Sequence, residues 1–589
     1  MKNKISTSIR RKNLYDYSDV NQRQETIGFL LEYAAKCRRT TDEYWSKMKR
    51  YYDGNHDISK SCGDFCKSND FPWTPASGTD AYIHVESQIN SEVPDFQFNP
   101  RDRDDYEKAK QRERIVKYIC DNNSLAEKNA RSERSLGIYG SSVWKVCWDS
   151  MAHFGENKGD VTVLCPEVYE IFPDPSAGDV DSCEYIGYVY KMHKQKAKRV
   201  FAGDLKYLGN DIDSLCGRKR MFSSFSNVST DLYDADEDTV TVTEWWFRQP
   251  EDGKALIKRG ENSYGCEYKA GDIALSVLID GVEVRYIPKY WKKTSFSSYP
   301  FVISPKIPEE KNIWGKSELS WIIPLIDAKD RELAFAQLNN AYSSNDIILV
   351  EENALCDGEN LDNSPGAVWK LRPGMMGKIA RLGNMAASQN SLYSGALFWQ
   401  DFIENTTGNY DISRGKEPSG VTTATGIALL GERSDERRSI KNIDRNKGFC
   451  RLYSLIDMTA LENYSDGRVL RTGAVQEEDL VYRYGGFIKR TRQECYIPSI
   501  DVTVTEGRGF EHSRAFTVSA LTTLMNMKID ENNYKFVKAY VKTINIPESD
   551  RICDFLDEKF NKESDGNISS DELLALIDKT LSEGERENV

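Results

Sequence analysis

Apolar positions along this chain recur with two periods, 3.6 and 2, and the exchange between them marks out its parts. Over residues 21–53 the spacing is helical: Ile27, Leu30, Leu31 and Ala34 share a face that Tyr44, Met48, Tyr51 and Tyr52 extend towards Gly54. A docking helix is predicted there. A Gly-, Pro- and Asp-rich stretch, 62–79, reads as loop, and AYIHVESQINSEVPDFQFNP begins a second unit. Charged helical sequence covers 102–122 and the segment after it. Gly140 then leads into SSVWKVCWD, an alternating strand with Trp144, Val146 and Trp148 on one side.

Residues 161–308 are mostly strand and turn. VTVTEWWF (240–247), ALSVLIDGVEVRYI with an Asp280-Gly281 hairpin turn, and YPFVISPKIP are the clearest pieces, while 196–238 reads as a polar linker, partly irregular. The pattern then turns helical. A helix is predicted over 317–345 from Leu319, Ile322, Ile323 and Ile326, with Pro324 as a kink or a late start. A compact segment, 346–386, holds short β runs at 347–350 and 368–371. The second helix, 388–405, carries Leu392, Leu397, Trp399 and Phe402, and a Gly- and Ser-rich loop fills 408–423.

A long helix is predicted over 424–464, which at 1.5 Å per residue spans about 60 Å. Ten of the seventeen residues from Gly431 to Lys447 are charged, so a monomer core explains this stretch poorly. A solvated face or an interface between copies of the chain suits it better, with Arg433, Asp435, Glu436, Arg437 and Arg438 as contact residues. Strands at 480–484 and 500–505 and helices from 513 onward complete the pattern.

Composition places the chain among large folded proteins. It has 589 residues, 39% hydrophobic, with 31 Tyr and 11 Trp, so several cores are expected. No apolar run follows the basic N-terminus and none reaches membrane-spanning length, so an intracellular protein without a membrane partner is expected. Thirteen scattered cysteines do not resemble a disulfide framework, and Cys62 and Cys66 with His56 lack a second Cys/His pair for zinc. A net charge of −13 argues against a large DNA-gripping face. It is compatible with a surface past which DNA must slide.

Catalytic signatures are sparse. Gly315-Lys316-Ser317 suggests a phosphate loop, but the glycine required five positions before Gly315 is Glu310; a turn at Gly315 and a helix cap at Ser317 fit better. His56, His84, His153, His193 and His512 stand apart from one another and read as structural, and no cofactor is expected. One metal pattern is closer. Asn561, Glu563, Asp565, Asn567, Ser569 and Glu572 place oxygen donors as a calcium loop does, with Gly566 at the sharp turn, although Asn stands at the first position and only one copy exists. A polar turn capped by Ser569 or Ser570 is the other reading.

The stretch from AYIHVESQINSEVPDFQFNP through SLGIYGSSVWKVCWD resembles the N-terminal region of tailed-phage portal proteins. PEVYEIFPDPSAGDVDSCEYI is similar to that family's next landmark, WGKSELSWIIPLIDAKDRELAFAQLNNAYSSN to its first stem helix, and GVTTATGIALLGERSDERRSIKN to the start of its long channel helix. ALTTLMNMKIDENNYKFVKAYVKTINIPESDRI is similar to its C-terminal helical part. The landmarks keep the family's order over most of the chain.

The resemblance implies an α+β, portal-type fold: a mixed α/β wing (1–315, with returning strands at 466–512), stem helices 316–345 and 387–407, and a small β-containing clip at 346–386. A tunnel loop (408–423), a channel-spanning helix (424–465) and a helical crown (513–589) follow. It further implies a non-enzymatic phage structural protein, assembled in the host cytoplasm and seated at the capsid portal vertex of the virion as a self-made ring of about twelve copies. Its implied partners are double-stranded DNA in the channel, the major capsid protein, the terminase large subunit and a tail adaptor. Ser413, Arg414, Gly415 and Lys416 in the loop, and Arg372, Lys378 and Arg381 in the clip, would then make brief phosphate contacts. A DNA-processing enzyme, nuclease or packaging ATPase, is the alternative, and another virion structural protein the third reading.

Overall fold

Helix α1 (Val20–Tyr52) forms where the apolar spacing predicts it, and its face of Ile27, Leu30, Leu31 and Ala34 is fully buried. That face lies on an antiparallel five-stranded sheet of order β10-β9-β6-β5-β4, made from β4 (Ile171–Pro173), β5 (Tyr185–His193), β6 (Thr239–Arg248), β9 (Ile273–Ile279) and β10 (Val282–Ile287). Phe172, Tyr185, Trp245, Phe247, Ala274 and Leu278 meet the helix. Neighbouring positions such as Ile186, Trp246 and Val277 point the other way, into a larger core. Strand β9 is therefore buried at every position, which is why IALSVLI lacks polar alternation.

The computed structural model describes residues 17, 19–56, 78–89, 93–154, 157–208, 239–259, 262–294, 296–344, 347–351, 354–356, 370–382, 389–407, 424–470, 480–487, 489–490, 495–497, 500–505, 529–530 and 567–568. Its chain divides into two compact units. One comprises Met1–Arg414 with Lys441–Val504, the other Gly415–Ile440 with Thr505–Val589.

In the first unit the short helix α2 (Asp80–Glu86) is followed by β1 (Asp95–Pro100), α3 (Tyr106–Asn122) and α4 (Leu125–Tyr139). Gly140 ends α4 in the left-handed conformation, φ +79°, and the chain turns into β2 (Ser141–Phe154). Glycine is required there twice over. Besides its φ, a Cβ at Gly140 would stand 2.3 Å from the carbonyl carbon of Lys316. Strand β2 is the centre of an antiparallel sheet between β3 (Asn157–Leu164) and β11 (Phe301–Pro305). Its Trp144 and Val146 are buried and Trp148 partly so, but Val143 is buried as well, so both faces are covered.

Asp280 and Gly281, with φ of +48° and +87°, make the two-residue turn joining β9 to β10. A separate hairpin pairs β7 (Gly253–Arg259) with β8 (Asn262–Tyr268). The linker expected to be polar and partly irregular begins with helices α5 (Lys194–Val200) and α6 (Ala202–Leu208). Ala197, Phe201 and Leu205, four residues apart, give them one buried stripe, and Arg285 holds Asp204 at 2.5 Å. Residues 209–238 lie outside the described residues.

Helix α7 (Leu319–Ser344) contains Pro324 without being divided by it. Strand β12 (Ile347–Val350) pairs antiparallel with β13 (Ile379–Leu382) rather than with the expected run at 368–371, where the described chain shows an isolated bridge, Leu355 to Leu371. Helices α8 (Gln389–Thr407) and α9 (Ala424–Asn463) follow, the latter 40 residues long. Short pieces come after it: β14 (Val469–Leu470) with β15 (Leu480–Val481), a helical turn α10 (Tyr484–Phe487) that starts at the last position of the strand expected over 480–484, and β16 (Lys489–Arg490) with β17 (Cys495–Tyr496). Strand β18 (Ile500–Thr505) returns to pair with β1, where Arg101 meets Asp501 at 2.8 Å and Asn99 donates to Thr503 at 2.8 Å.

In the second unit the described pieces are the first part of α9 and a two-residue ladder between β19 (Ile529–Asp530) and β20 (Asn567–Ile568). The helices expected from 513 onward lie outside the described residues.

Candidate functional site

The start of α7 is held by hydrogen bonds from three directions. Gly315 N donates to Ser141 Oγ (2.9 Å), Lys316 N to the Ile307 carbonyl (2.9 Å) and Ser317 N to the Tyr44 hydroxyl (2.9 Å). Ser317 Oγ accepts from Leu319 N at 3.1 Å and donates to the Gly137 carbonyl, so it is the helix cap its position suggested. The backbone N–H groups of Gly315-Lys316-Ser317 are thus spent inside the protein, and Lys316 pairs with Glu309. None of the three is left to cradle a phosphate.

The residue before α7 and the helix itself are joined to α1, α2 and the chain after each of these two helices by carboxylates turned inward. Tyr51 donates to Asp327 at 2.6 Å, His56 Nδ1 meets Asp330 at 2.8 Å, and Gln88 and His84 meet Glu318 at 3.0 and 3.5 Å. Burial, then the Asp327 carboxylate, raise the Tyr51 pKa, which keeps its hydroxyl protonated as a donor. Buried carboxylates are costly unless each finds such a partner. His56 and His84, which looked isolated in sequence, are therefore parts of one joint. Their partners lie 274 and 234 residues away, the latter being 318 − 84, and no local pattern shows them.

Helix α8 runs antiparallel to α7. Glu332 accepts from Trp399 at 3.0 Å, Lys329 donates to Gln400 and, at 2.7 Å, to Asp80, and Ile403 packs among Leu319, Ile322, Ile323 and Ile326. Gly395 lets the helices close, since a Cβ there would lie 1.9 Å from Glu332 Oε2. The outward sides of this pair are unusually apolar. Trp321 is 54% exposed, Phe335 39%, Leu397 68%, Phe398 59% and Phe402 47%.

The cations proposed for a DNA opening are only partly brought together. Lys378 lies just before β13 and pairs with Glu351 at 2.8 Å on the surface; Arg381 lies in β13 opposite Ile348. Arg372 is half-buried, and its backbone N donates to the Ala354 carbonyl at 3.1 Å. Ser413, Arg414, Gly415 and Lys416 lie outside the described residues. The side chains of Arg433, Asp435, Glu436, Arg437 and Arg438 do too, although α9 carries all five positions. Of the calcium-loop positions only Asn567 is described, in β20 opposite Asp530; Asn561, Glu563, Asp565, Ser569 and Glu572 lie outside.

Sequence reading also missed how firmly the second part of α9 is tied into the first unit. Arg445 donates to Glu133 at 2.6 Å, Tyr464 donates to Asp160 at 2.6 Å, and the Glu462 carboxylate accepts from the backbone N–H groups of Lys292, Lys293 and Thr294. The charge of this helix is thus, in Arg445 and Glu462, internal bonding rather than solvated surface.

Residues 82–295 match the model of the family Phage P22-like portal protein. The match begins in α2 and runs through both larger sheets up to the chain before β11, so it includes most of the first unit's β structure. Comparison with curated proteins finds no match.

Proposed function

We propose that this phage portal protein closes into a ring of identical subunits at one capsid vertex and serves as a non-enzymatic conduit for DNA during packaging, retention and ejection. The family match carries this reading. Residues 1–315 with 466–512 are assigned as wing, α7 and α8 as stem, 346–386 as clip, 408–423 as tunnel loop, 424–465 as channel helix and 513–589 as crown. The clip would face the terminase and later the tail adaptor, and the wing the major capsid protein.

Two observations support the assignment. An antiparallel helix pair anchored by a buried polar joint yet apolar on its outer sides suits a protomer whose neighbours cover those sides. A net charge of −13 suits a channel that must release the duplex it admits. Native mass spectrometry with electron-microscopic class averages tests the reading. A closed ring of about twelve copies with an axial hole of about 20 Å or more is expected. A stable monomer or dimer at high concentration would overturn it.

A further inference from the structure

Most of the exposed residues described in α7 and α8 fall into two stripes, and the stripes lie on different sides of the pair. On α7, Trp321, Pro324, Arg331 and Phe335 are exposed, and at about 100° per residue they occupy one strip of the helix surface. Lys329, which meets α8, projects from another, and Glu332, which also meets α8, stands at the edge between the two, about three turns beyond Trp321 and about 100° round from Arg331. On α8, Leu397, Phe398, Asp401 and Phe402 are exposed and face away from Trp399 and Ile403, which turn towards α7. Each stripe is mainly apolar and each holds one charge of opposite sign. Neither Arg331 nor Asp401 has a hydrogen-bond or ion-pair partner among the described residues.

Register decides what these charges can reach. Lys329 lies level with Gln400, and Glu332 with Trp399, so Arg331 and Asp401 differ in height by about two residues, about 3 Å along the helices. Phe335 lies about one turn from the level of Leu397 and Phe398 by the same count. Rotation about an axis parallel to the helices preserves height. A stripe on one side of a protomer therefore meets, at its own level, the stripe on the other side of the next. Patches on different sides make a heterologous contact, the kind that closes rings.

We propose that in the assembled ring the α7 stripe of each subunit packs on the α8 stripe of its neighbour, with Arg331 of one paired to Asp401 of the next inside a frame made by Phe335, Leu397, Phe398 and Phe402. The proposal rests on the ring reading above and adds which surfaces meet and in which order. The pair sets direction and register, because a subunit turned over or slipped by a turn would bring these charges against apolar side chains.

Charge exchange tests it. Both residues are exposed, so R331D and D401R should each fold with an unchanged far-UV circular dichroism spectrum. Each places like charges at every interface, and the ring fraction seen by native mass spectrometry should fall about tenfold. The R331D/D401R double variant should recover rings. So should an equimolar mixture of the two single variants, as rings with an even number of alternating subunits. Wild-type rings together with undiminished rings from both single variants would overturn this contact and leave the ring reading standing; absence of wild-type rings would overturn both.

Discussion

Arg112 of α3 and Asp457 of α9 are fully buried and bound to each other, the guanidinium Nε lying 3.1 and 3.0 Å from the two carboxylate oxygens and a terminal nitrogen making a further bond. The pair joins helices 345 residues apart in sequence within the first unit. Its contribution is asymmetric. Removing one partner leaves a charge buried without compensation, at a cost of about 3–5 kcal/mol, whereas an apolar pair of similar volume is often neutral or stabilising. R112M is therefore expected to lower the thermal midpoint strongly, and R112M/D457L to recover most or all of it. Equal loss in both variants would show that the pair itself, rather than the orphaned carboxylate, sustains the contact.

Gly140 and Gly395 permit close approaches of different kinds. A methyl group at Gly140 meets backbone, the carbonyl carbon of Lys316, in a left-handed conformation; at Gly395 it meets only the end of the Glu332 side chain. G140A should cost more than about 2 kcal/mol, since neither obstacle can yield. G395A should cost less, by rotating Glu332 away from Trp399. Urea unfolding of the two variants checks the order, and a reversed order would mean that the start of α7 moves more freely than its hydrogen bonds indicate.

Lys329 offers a double-mutant test of the joint. It holds Asp80 and Gln400 together and is mostly buried. K329M leaves Asp80 without its cation and should destabilise the protein by about 1–3 kcal/mol. D80N should do so by less, and in the K329M background D80N should cost almost nothing. Additive losses would mean that the two residues act independently.

The legible part of this fold was local. Period and turn chemistry located α1, the Asp280-Gly281 hairpin, α8 and the Ser317 cap within a few residues, because a helix face or a two-residue turn is written in adjacent positions. Pairing was not legible. Ile379–Leu382 is a short alternating run like the one expected at 368–371, and nothing within either says which reaches β12. Arg445, inside the charged stretch read as a solvated face or an interface between copies, was misplaced for the same reason: sequence gives the polarity of a helix face but not the partner opposite it. Ala197, Phe201 and Leu205 were a missed signal rather than a hidden one, a helical stripe masked by the lysines around it.

Glu170 gives the fold a pH dependence of predictable sign. It follows β3 in a short turn where burial raises its pKa to about 7, while the backbone N–H of Glu167 acts in the opposite direction. At low pH the carboxyl is protonated in folded and unfolded chains alike. As pH rises above the ordinary carboxylate value of about 4.5 the unfolded chain releases its proton while the folded one retains it, so stability falls until about pH 7 and is level beyond. The loss is at most about 3 kcal/mol at 1.36 kcal/mol per unit. E170Q keeps the shape and the Glu167 hydrogen bond without the charge, so it should raise the thermal midpoint at pH 8 and leave it unchanged at pH 4. The difference between wild type and variant, followed by calorimetry across this range, isolates Glu170 from every other carboxylate; equal midpoint differences at the two pH values would place the Glu170 carboxylate in contact with water.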